Sequence, residues 1–232
     1  MRELLIKYAI KYKGNYRAIR KAVREHEYVS DIPMQKAITI LDEDYPAELL
    51  QLKYPPYVLF YCGNKALLKE KSIAVVGSRD ACNYGINATQ MLVRKLSSSY
   101  VIVSGMAKGI DAVAHWNAAR SIGVLGNGLD ISYPACNSDL YRHMMETGLL
   151  ISEYPLATSP RREHFPFRNR IMAALASKVI VCQASEKSGT MLTVNEALEL
   201  GKDIYVVPYR MTDPEGRGCN ILIQQGANII VL

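Results

Sequence analysis

The sequence predicts an α/β fold, a Rossmann-like, doubly wound, mostly parallel sheet with a small helical N-terminal element. Two observations carry the prediction. From Ile73 onward, short β-branched apolar runs alternate with segments of helical spacing, which is the signature of a parallel sheet. The apolar runs are also continuous rather than alternating, as in strands buried on both faces. With 232 residues and 49% hydrophobic composition, the chain can bury one large core and keep a small appendage.

Taken in order, the region before Lys71 lacks Gly-rich strand ends and is rich in Lys and Tyr. Two short helices are expected there, near Leu4 to Tyr12 and Tyr16 to Glu25. Asp42 to Pro46 and then Leu52 to Cys62, which contains Pro55 and Pro56, read as a lead-in packed on the sheet. Strands are expected at Ile73 to Gly77, Tyr100 to Ser104, Gly123 to Gly126, Leu149 to Glu153, Lys178 to Cys182, Ile204 to Val207 and Asn228 to Val231. Helices are expected at Gly85 to Leu96, Gly109 to Ala119, Ser138 to Met145, Arg168 to Ala176, Thr193 to Leu200 and Asn220 to Gln225. The division is a short helical N-terminal element over residues 1–40 and a Rossmann-like domain over 41–232.

Composition narrows the function classes. The longest apolar runs, such as Ser72 to Gly77 and Ala227 to Leu232, fall far short of the roughly 20 residues that span a bilayer. No apolar stretch or small-residue cleavage site follows the early cations Arg2, Lys7, Lys11 and Lys13, so no secretory signal is expected and the protein should be cytoplasmic. Cys62, Cys82, Cys136, Cys182 and Cys219 are widely spread, with no C-x-x-C pair and no histidine at zinc-finger spacing. They read as small apolar residues in a reducing compartment, and neither a metal nor a cofactor is expected. The net charge of +6 is modest, but two clusters concentrate it. One runs from Lys7 through Lys11, Lys13, Arg17, Arg20 and Lys21 to Arg24, and reads as a solvated helical face. The other is Arg161, Arg162, Arg168 and Arg170 around His164.

Ligands of open α/β sheets sit beyond the carboxyl ends of the strands, where helix N-termini offer unpaired N–H groups and a partial positive charge. The first strand ends in Gly77-Ser78-Arg79, the second in Ser104-Gly105-Met106-Ala107-Lys108-Gly109, and the third in Gly126-Asn127-Gly128. Glycine lets a phosphate approach the backbone, Ser78 and Ser104 carry hydroxyl donors, and Arg79 and Lys108 supply charge. Neither G-x-G-x-x-G nor G-x-x-x-x-G-K-[ST] occurs, so neither NAD nor ATP is indicated. Phe165-Pro166-Phe167-Arg168-Asn169-Arg170 combines a ring for stacking on a base with arginines for phosphates, the combination used to hold single strands. Against this stands a structural role, with Phe165 and Phe167 in the core and the arginines in ion pairs. Ser188-Gly189-Thr190 adds a further small polar turn ahead of a helix.

No catalytic residue is assigned. Asp111 and His115 lie one helical turn apart and near Ser104, but no G-x-S-x-G elbow accompanies them. Asp111 is expected to brace its helix, and His115 to make a buried hydrogen bond. Glu153 and Asp130 suggest paired carboxylates, but both follow strands and could equally bind loop N–H groups.

The residues quoted so far resemble the DNA-processing protein A family, also called Smf or DprA, over about Lys53 to Leu232. The resemblance is carried by Val75-Val76-Gly77-Ser78-Arg79, Ser104-Gly105 with Lys108-Gly109-Ile110-Asp111 and Ala114-His115, and Gly128-Leu129-Asp130 with Tyr133-Pro134. It continues through Ser152-Glu153, Phe165-Pro166 with Arg168-Asn169-Arg170, Ser188-Gly189-Thr190, Pro208 and Gly226-Ala227. The resemblance implies a Rossmann-like domain that binds single-stranded DNA, forms a homodimer and loads the RecA recombinase during natural transformation. It further implies that Ser78, Arg79, Lys108, Phe165, Asn169 and Arg170 line a basic DNA-binding pocket. With the turns read above, the expected site is Gly77, Ser78, Arg79, Ser104, Gly105, Lys108, Gly109, Phe165, Arg168, Asn169, Arg170, Ser188, Gly189 and Thr190.

Against the family pattern, the N-terminal segment is expected to be a shortened form of a SAM-type helical domain, and the winged-helix domain of many relatives to be missing. Gln183 stands where the family usually has an acid. Two other functions are weighed. A phosphoribohydrolase of related fold needs a carboxylate just after its phosphate loop, but Met191 and Leu192 follow Thr190, and Glu196 is the nearest downstream acid. A pure interaction protein would use the basic N-terminal helices or the outer helix faces, which the sequence cannot locate.

Overall fold

The computed structural model describes residues 1–231. Its centre is a nine-stranded sheet, formed by β1 (Ala37–Thr39), β2 (Val58–Gly63), β3 (Ser72–Gly77), β4 (Val101–Ser104), β5 (Ser121–Leu125), β6 (Leu149–Ser152), β7 (Lys178–Gln183), β8 (Asp203–Val206) and β9 (Asn228–Ile229). The spatial order is β1-β2-β6-β5-β4-β3-β7-β8-β9. All pairings from β6 to β9 are parallel, whereas β1 and β2 run antiparallel along one edge. From β3 the chain steps outward through β4 and β5 to β6, then crosses back to β7 on the other side of β3. Strand order therefore reverses between β3 and β7, the crevice in which open α/β sheets bind ligands.

Eight helices accompany the sheet among the described residues: α1 (Arg2–Lys11), α2 (Tyr16–Arg24), α3 (Asn83–Leu96), α4 (Ile110–Asn117), α5 (Ser138–Thr147), α6 (His164–Leu175), α7 (Thr190–Glu199) and α8 (Arg217–Gln224). None is long and apolar enough to cross a membrane. Alternate residues of each inner strand enter different cores. Val101, Val103, Ile122, Val124 and Ile151 pack with Ile171 and Met172 of α6 and with Leu49 and Leu52. Leu125 and Leu150 instead join Leu5 and Ile6 of α1 and Leu140, Tyr141 and Met144 of α5.

The expected strands and helices all form, with ends shifted by a few residues. β1 and β2 were not expected: the stretch read as a packed lead-in supplies two strands that extend the sheet. β1 lies on the N-terminal side of the boundary drawn after residue 40, and α1 shares a core cluster with Phe60, Leu125 and Leu150. The N-terminal helices are thus built onto the sheet. Helix α6 begins at His164, four residues before its expected start. Pro166 fits its first turn because the first N–H groups of a helix have no intrahelical partner.

Candidate nucleic-acid interface

At the reversal point, the carboxyl ends of β3, β4 and β7 converge with the N-terminus of α7 and the start of α6. The turns after β3 and β7 are tied together by the Ser78 N–H, which donates to the Gln183 carbonyl at 2.9 Å. Gln183 is buried, and its side chain holds the loop after β3: Oε1 accepts from Cys82 N at 3.0 Å and Nε2 donates to Asp80 O at 3.3 Å. A neutral amide thus does structural work at the position where the family pattern expects an acid. The turn after β4 meets the turn after β3 at Gly109, which has φ +70°. A Cβ there would lie 2.3 Å from the Ser78 carbonyl oxygen and 2.6 Å from that of Arg79, so only glycine allows the approach.

The convergence encloses an open cavity of about 620 Å³. Gly77, Arg79, Phe165, Arg168, Asn169, Ser188, Gly189 and Thr190 of the expected site line it. The upper wall is cationic and aromatic. Arg79 and Arg162 are exposed, the Arg79 guanidinium lies 5.9 Å from the centroid of the Phe165 ring, and Tyr133 stacks on Phe165 with centroids 5.5 Å apart and planes at 27°. Gly189 and Thr190 open α7, whose partial positive charge faces the cavity. Ser78 and Ser188 spend part of their hydroxyl capacity on their own turns, with Asp80 and Thr190 respectively. Lys108 is exposed on the neighbouring turn.

The cavity floor differs from what the sequence suggested. Ser104 is fully buried, and its hydroxyl donates to the Val75 carbonyl at 2.6 Å. Gly105 carries the Arg168 guanidinium against its Cα, where a Cβ would lie 2.5 Å from a guanidinium nitrogen. Arg168 donates to the Gly105 carbonyl at 2.8 Å and to the Val124 carbonyl. Arg170 pairs bidentately with Glu153 at 2.6 and 2.7 Å, and donates to Phe167 O at 2.7 Å and Tyr54 O at 3.1 Å. Ser104, Gly105 and Arg170 are therefore withdrawn as DNA contacts. Their polar groups are buried and already partnered, and a phosphate would have to displace those partners. Arg168 and Asn169 reach the cavity only as its floor, with Asn169 Oδ1 accepting from Arg168 Nε at 3.2 Å.

Below the floor lies a buried polar layer. Asp111 Oδ2 accepts from the Gly105 and Ala107 N–H groups at 3.2 and 3.3 Å, so it braces the turn. Burial raises its carboxyl pKa, while the charge of Arg168 opposes the rise. His115 Nδ1 lies 2.5 Å from Ser121 Oγ, and burial, followed by the charge of Arg168, pushes its pKa down to about 3. Desolvation also lowers the pKa of Arg168. Cys182 and Cys219 are buried free thiols pushed up to about 12 by burial, and Cys136 is exposed. Sequence reasoning left Tyr133 and Arg162 out of the site. The Tyr133-Pro134 pair and the basic cluster at Arg161 and Arg162 were the available signals.

The fold and this cleft define a class: a Rossmann-like polyanion binder whose cationic and aromatic rim stands at the sheet's reversal point. A family model described as DNA recombination-mediator protein A matches residues 36–231, and the chain belongs to that family. It is 40% identical over 198 residues to the DNA processing protein DprA of Streptococcus pneumoniae, covering 84% of this chain and 70% of that one. It is 41% identical over 199 residues to DprA of Bacillus subtilis, covering 83% and 67%. The S. pneumoniae X-ray structure superposes with a TM-score of 0.81 at 37% identity, covering 92% of this chain and 77% of that chain. DNA processing protein A from Helicobacter pylori, described for its single-stranded DNA binding mode, superposes with a TM-score of 0.79 at 33% identity, covering 85% and 92%.

Proposed function

We propose that the chain binds single-stranded DNA in the cleft at the β3/β7 reversal and acts as a recombination mediator, passing the strand to the RecA recombinase in the cytoplasm. The observation that carries this reading is the rim. Arg79 and Arg162 stand in solvent beside the Tyr133–Phe165 stack, so cations and a ring face are available together. Phosphates are neutralised by Arg79, Arg162 and Lys108, and by the N–H groups opening α7 at Gly189 and Thr190. Phe165 and Tyr133 offer a stacking surface to a base. Gly77, Ser78, Gly109 and Ser188 shape the turns, and Arg168 and Asn169 form the floor. Such contacts give weak sequence preference and strong salt dependence.

Binding rather than turnover is the proposed role. Asp111 is the one carboxylate lining the cleft among the described residues, and backbone N–H groups already occupy it. Residues 1–40 act with the sheet as a helical cap, and two copies associate. Light scattering over a concentration series tests the association, with a monomer mass at all concentrations refuting it.

Fluorescence anisotropy of labelled oligo(dT) against the matching duplex, at two salt concentrations, tests the main reading. Tight, salt-sensitive single-strand binding that Arg79→Ala/Arg162→Ala loses is the expected result. A wild-type protein that fails to bind the strand, or that releases free base from nucleoside monophosphates with turnover, would overturn it.

A further inference from the structure

A second groove, of about 920 Å³, lies on the far side of the segment 161–167. That segment serves both sides as a ridge: Arg162, Phe165 and Pro166 line the first cavity, and Arg161, Glu163, His164 and Phe167 line the second. The opposite wall is the turn between α1 and α2, which brings Lys13, Tyr16 and Arg17. Lys13, Arg17 and Arg161 are exposed and make no ion pair among the described residues. Most other cations of the N-terminal helices are paired: Lys7 with Asp31, Lys11 with Glu27, and Lys21 and Arg24 with one shared carboxylate, Glu25, whereas Arg20 makes no ion pair among the described residues. The basic N-terminal cluster therefore resolves into a compensated part and an uncompensated part, and the latter includes two cations on this groove.

The groove is also lined with fixed rings. Tyr16 stacks on Tyr57 at 4.9 Å and 22° and meets Tyr54 edge-on at 5.3 Å. Burial pushes the Tyr16 phenol up to about 12. Tyr154, itself buried, stacks on His164 at 4.0 Å and 17° and fixes the wall without offering a free face, so the rings open to a base are those of Tyr16 and Tyr54. The walls are held rigidly. Gly14, at φ +73°, brings the helix turn against the Glu153 carbonyl, where a Cβ would lie 2.6 Å from the oxygen. Arg170 ties Glu153, Tyr54 and Phe167 into one brace beneath the groove.

We propose that a single strand held in the first cavity crosses the 161–167 ridge and continues into this second groove, where Lys13, Arg17 and Arg161 take phosphates and the fixed rings take bases. The inference rests on the single-strand reading of the first cavity. Continuity across one ridge favours the same strand over a separate ligand. The rings favour a single strand over a duplex, whose bases offer no free faces. Glu163 is the acid on the groove, and three uncompensated cations outweigh it.

The test compares oligo(dT) of about 6 and about 20 nucleotides, lengths spanning the usual range of single-strand sites. The Lys13→Ala/Arg17→Ala/Arg161→Ala variant is expected to hold the short oligonucleotide as wild type does, which also shows that it is folded. It should bind the long one roughly tenfold more weakly, with a salt slope flatter by about 2, from roughly 0.7 per lost single-strand contact. Iodouracil photocrosslinking should reach Tyr16 with the long strand and not with the short one. A triple variant that binds the long strand with wild-type affinity and slope overturns the second groove and leaves the first intact. Displacement of the long strand by oligo-glutamate as readily as by unlabelled oligo(dT) also overturns it, in favour of an acidic peptide. Wild-type protein that binds neither length removes the first reading and this one together.

Discussion

Arg168 on the cleft floor and Arg170 two residues further along the same helix, and Arg79, Lys108 and Arg162 on the rim, gather around one site yet do different work. The two helix arginines are 5% and 4% exposed, and carbonyls or a carboxylate occupy their donors. The rim cations stand in solvent with no ion pair among the described residues. A buried guanidinium is useful only where its partners are fixed, because leaving its partner unpaired in the interior is costly. A phosphate-binding cation must be free to exchange water for the ligand. The difference teaches that arginine beside an aromatic is a mark of the site but not of contact with the ligand.

The largest expected effect tests that division. Arg170→Ala leaves Glu153 buried and unpaired, and should cost about 3–5 kcal/mol of unfolding free energy in urea. The Glu153→Gln/Arg170→Met double variant should recover a substantial part of the loss. If Arg170→Ala unfolded at the wild-type midpoint and bound DNA weakly, Arg170 would belong to the rim and the comparison would collapse.

Why the sequence misassigned Arg170 is instructive. Continuous apolar runs such as Val179 to Cys182 announce buried strands, and the glycine turns announce their carboxyl ends, so the sheet's parallel part and the location of the cleft were legible. Residues 168–170 were read as the start of a helix, with phosphate contacts and structural ion pairs both open for the arginines. The helix starts at His164, so these residues fall in its second turn, facing the sheet and the Tyr54 segment. Which face of a helix turns inward is set by tertiary packing that local spacing does not encode. β1 and β2 escaped for a related reason: three residues beside a polar stretch, and six after two prolines, carry too little pattern to declare a strand. Arg79 stands exposed because a turn at a strand end has no core to enter.

Gly109 joins the two turns that carry the rim cations Arg79 and Lys108, and gives the next effect in size. Its φ of +70° and ψ of −127° belong to a region essentially reserved for glycine. Gly109→Ala should lose up to about 3 kcal/mol and also weaken strand binding, because the added Cβ drives apart the turns that carry Arg79 and Lys108. Full binding by a stable Gly109→Ala protein would show that the two turns act independently.

Acid titration separates the layers by charge. His115 has a folded pKa of about 3 against an unfolded value near 6.5, so the unfolded chain takes up the proton first. Its contribution to stability is complete above about pH 6.5 and falls as pH drops from there toward 3, by up to about 2 kcal/mol at pH 5. Asp111 has a raised pKa and acts in the opposite sense, so its neutralisation relieves a cost of burial as pH falls. Urea melts of His115→Asn across this range should show a flatter acid limb, and Arg168→Met should shorten the limb by ending it at a higher pH, because removing a nearby positive charge raises the folded pKa of His115 toward its unfolded value. An unchanged limb in both variants would remove His115 from the account of the floor.

Arg79→Ala should have the smallest effect on stability and the clearest effect on function. The side chain is exposed and its closest described partner is the face of Phe165, so its loss should change the unfolding free energy by no more than about 0.5 kcal/mol. The slope of log affinity against log salt should nevertheless flatten by roughly 0.7, the value of one single-strand phosphate contact. Lys108→Ala, measured the same way, asks whether the neighbouring turn adds a second contact, with the same flattening expected. A variant that destabilised the fold while keeping the full salt slope would put Arg79 with the buried helix arginines, and the phosphate-binding cations would then have to be sought beyond the loop after β3.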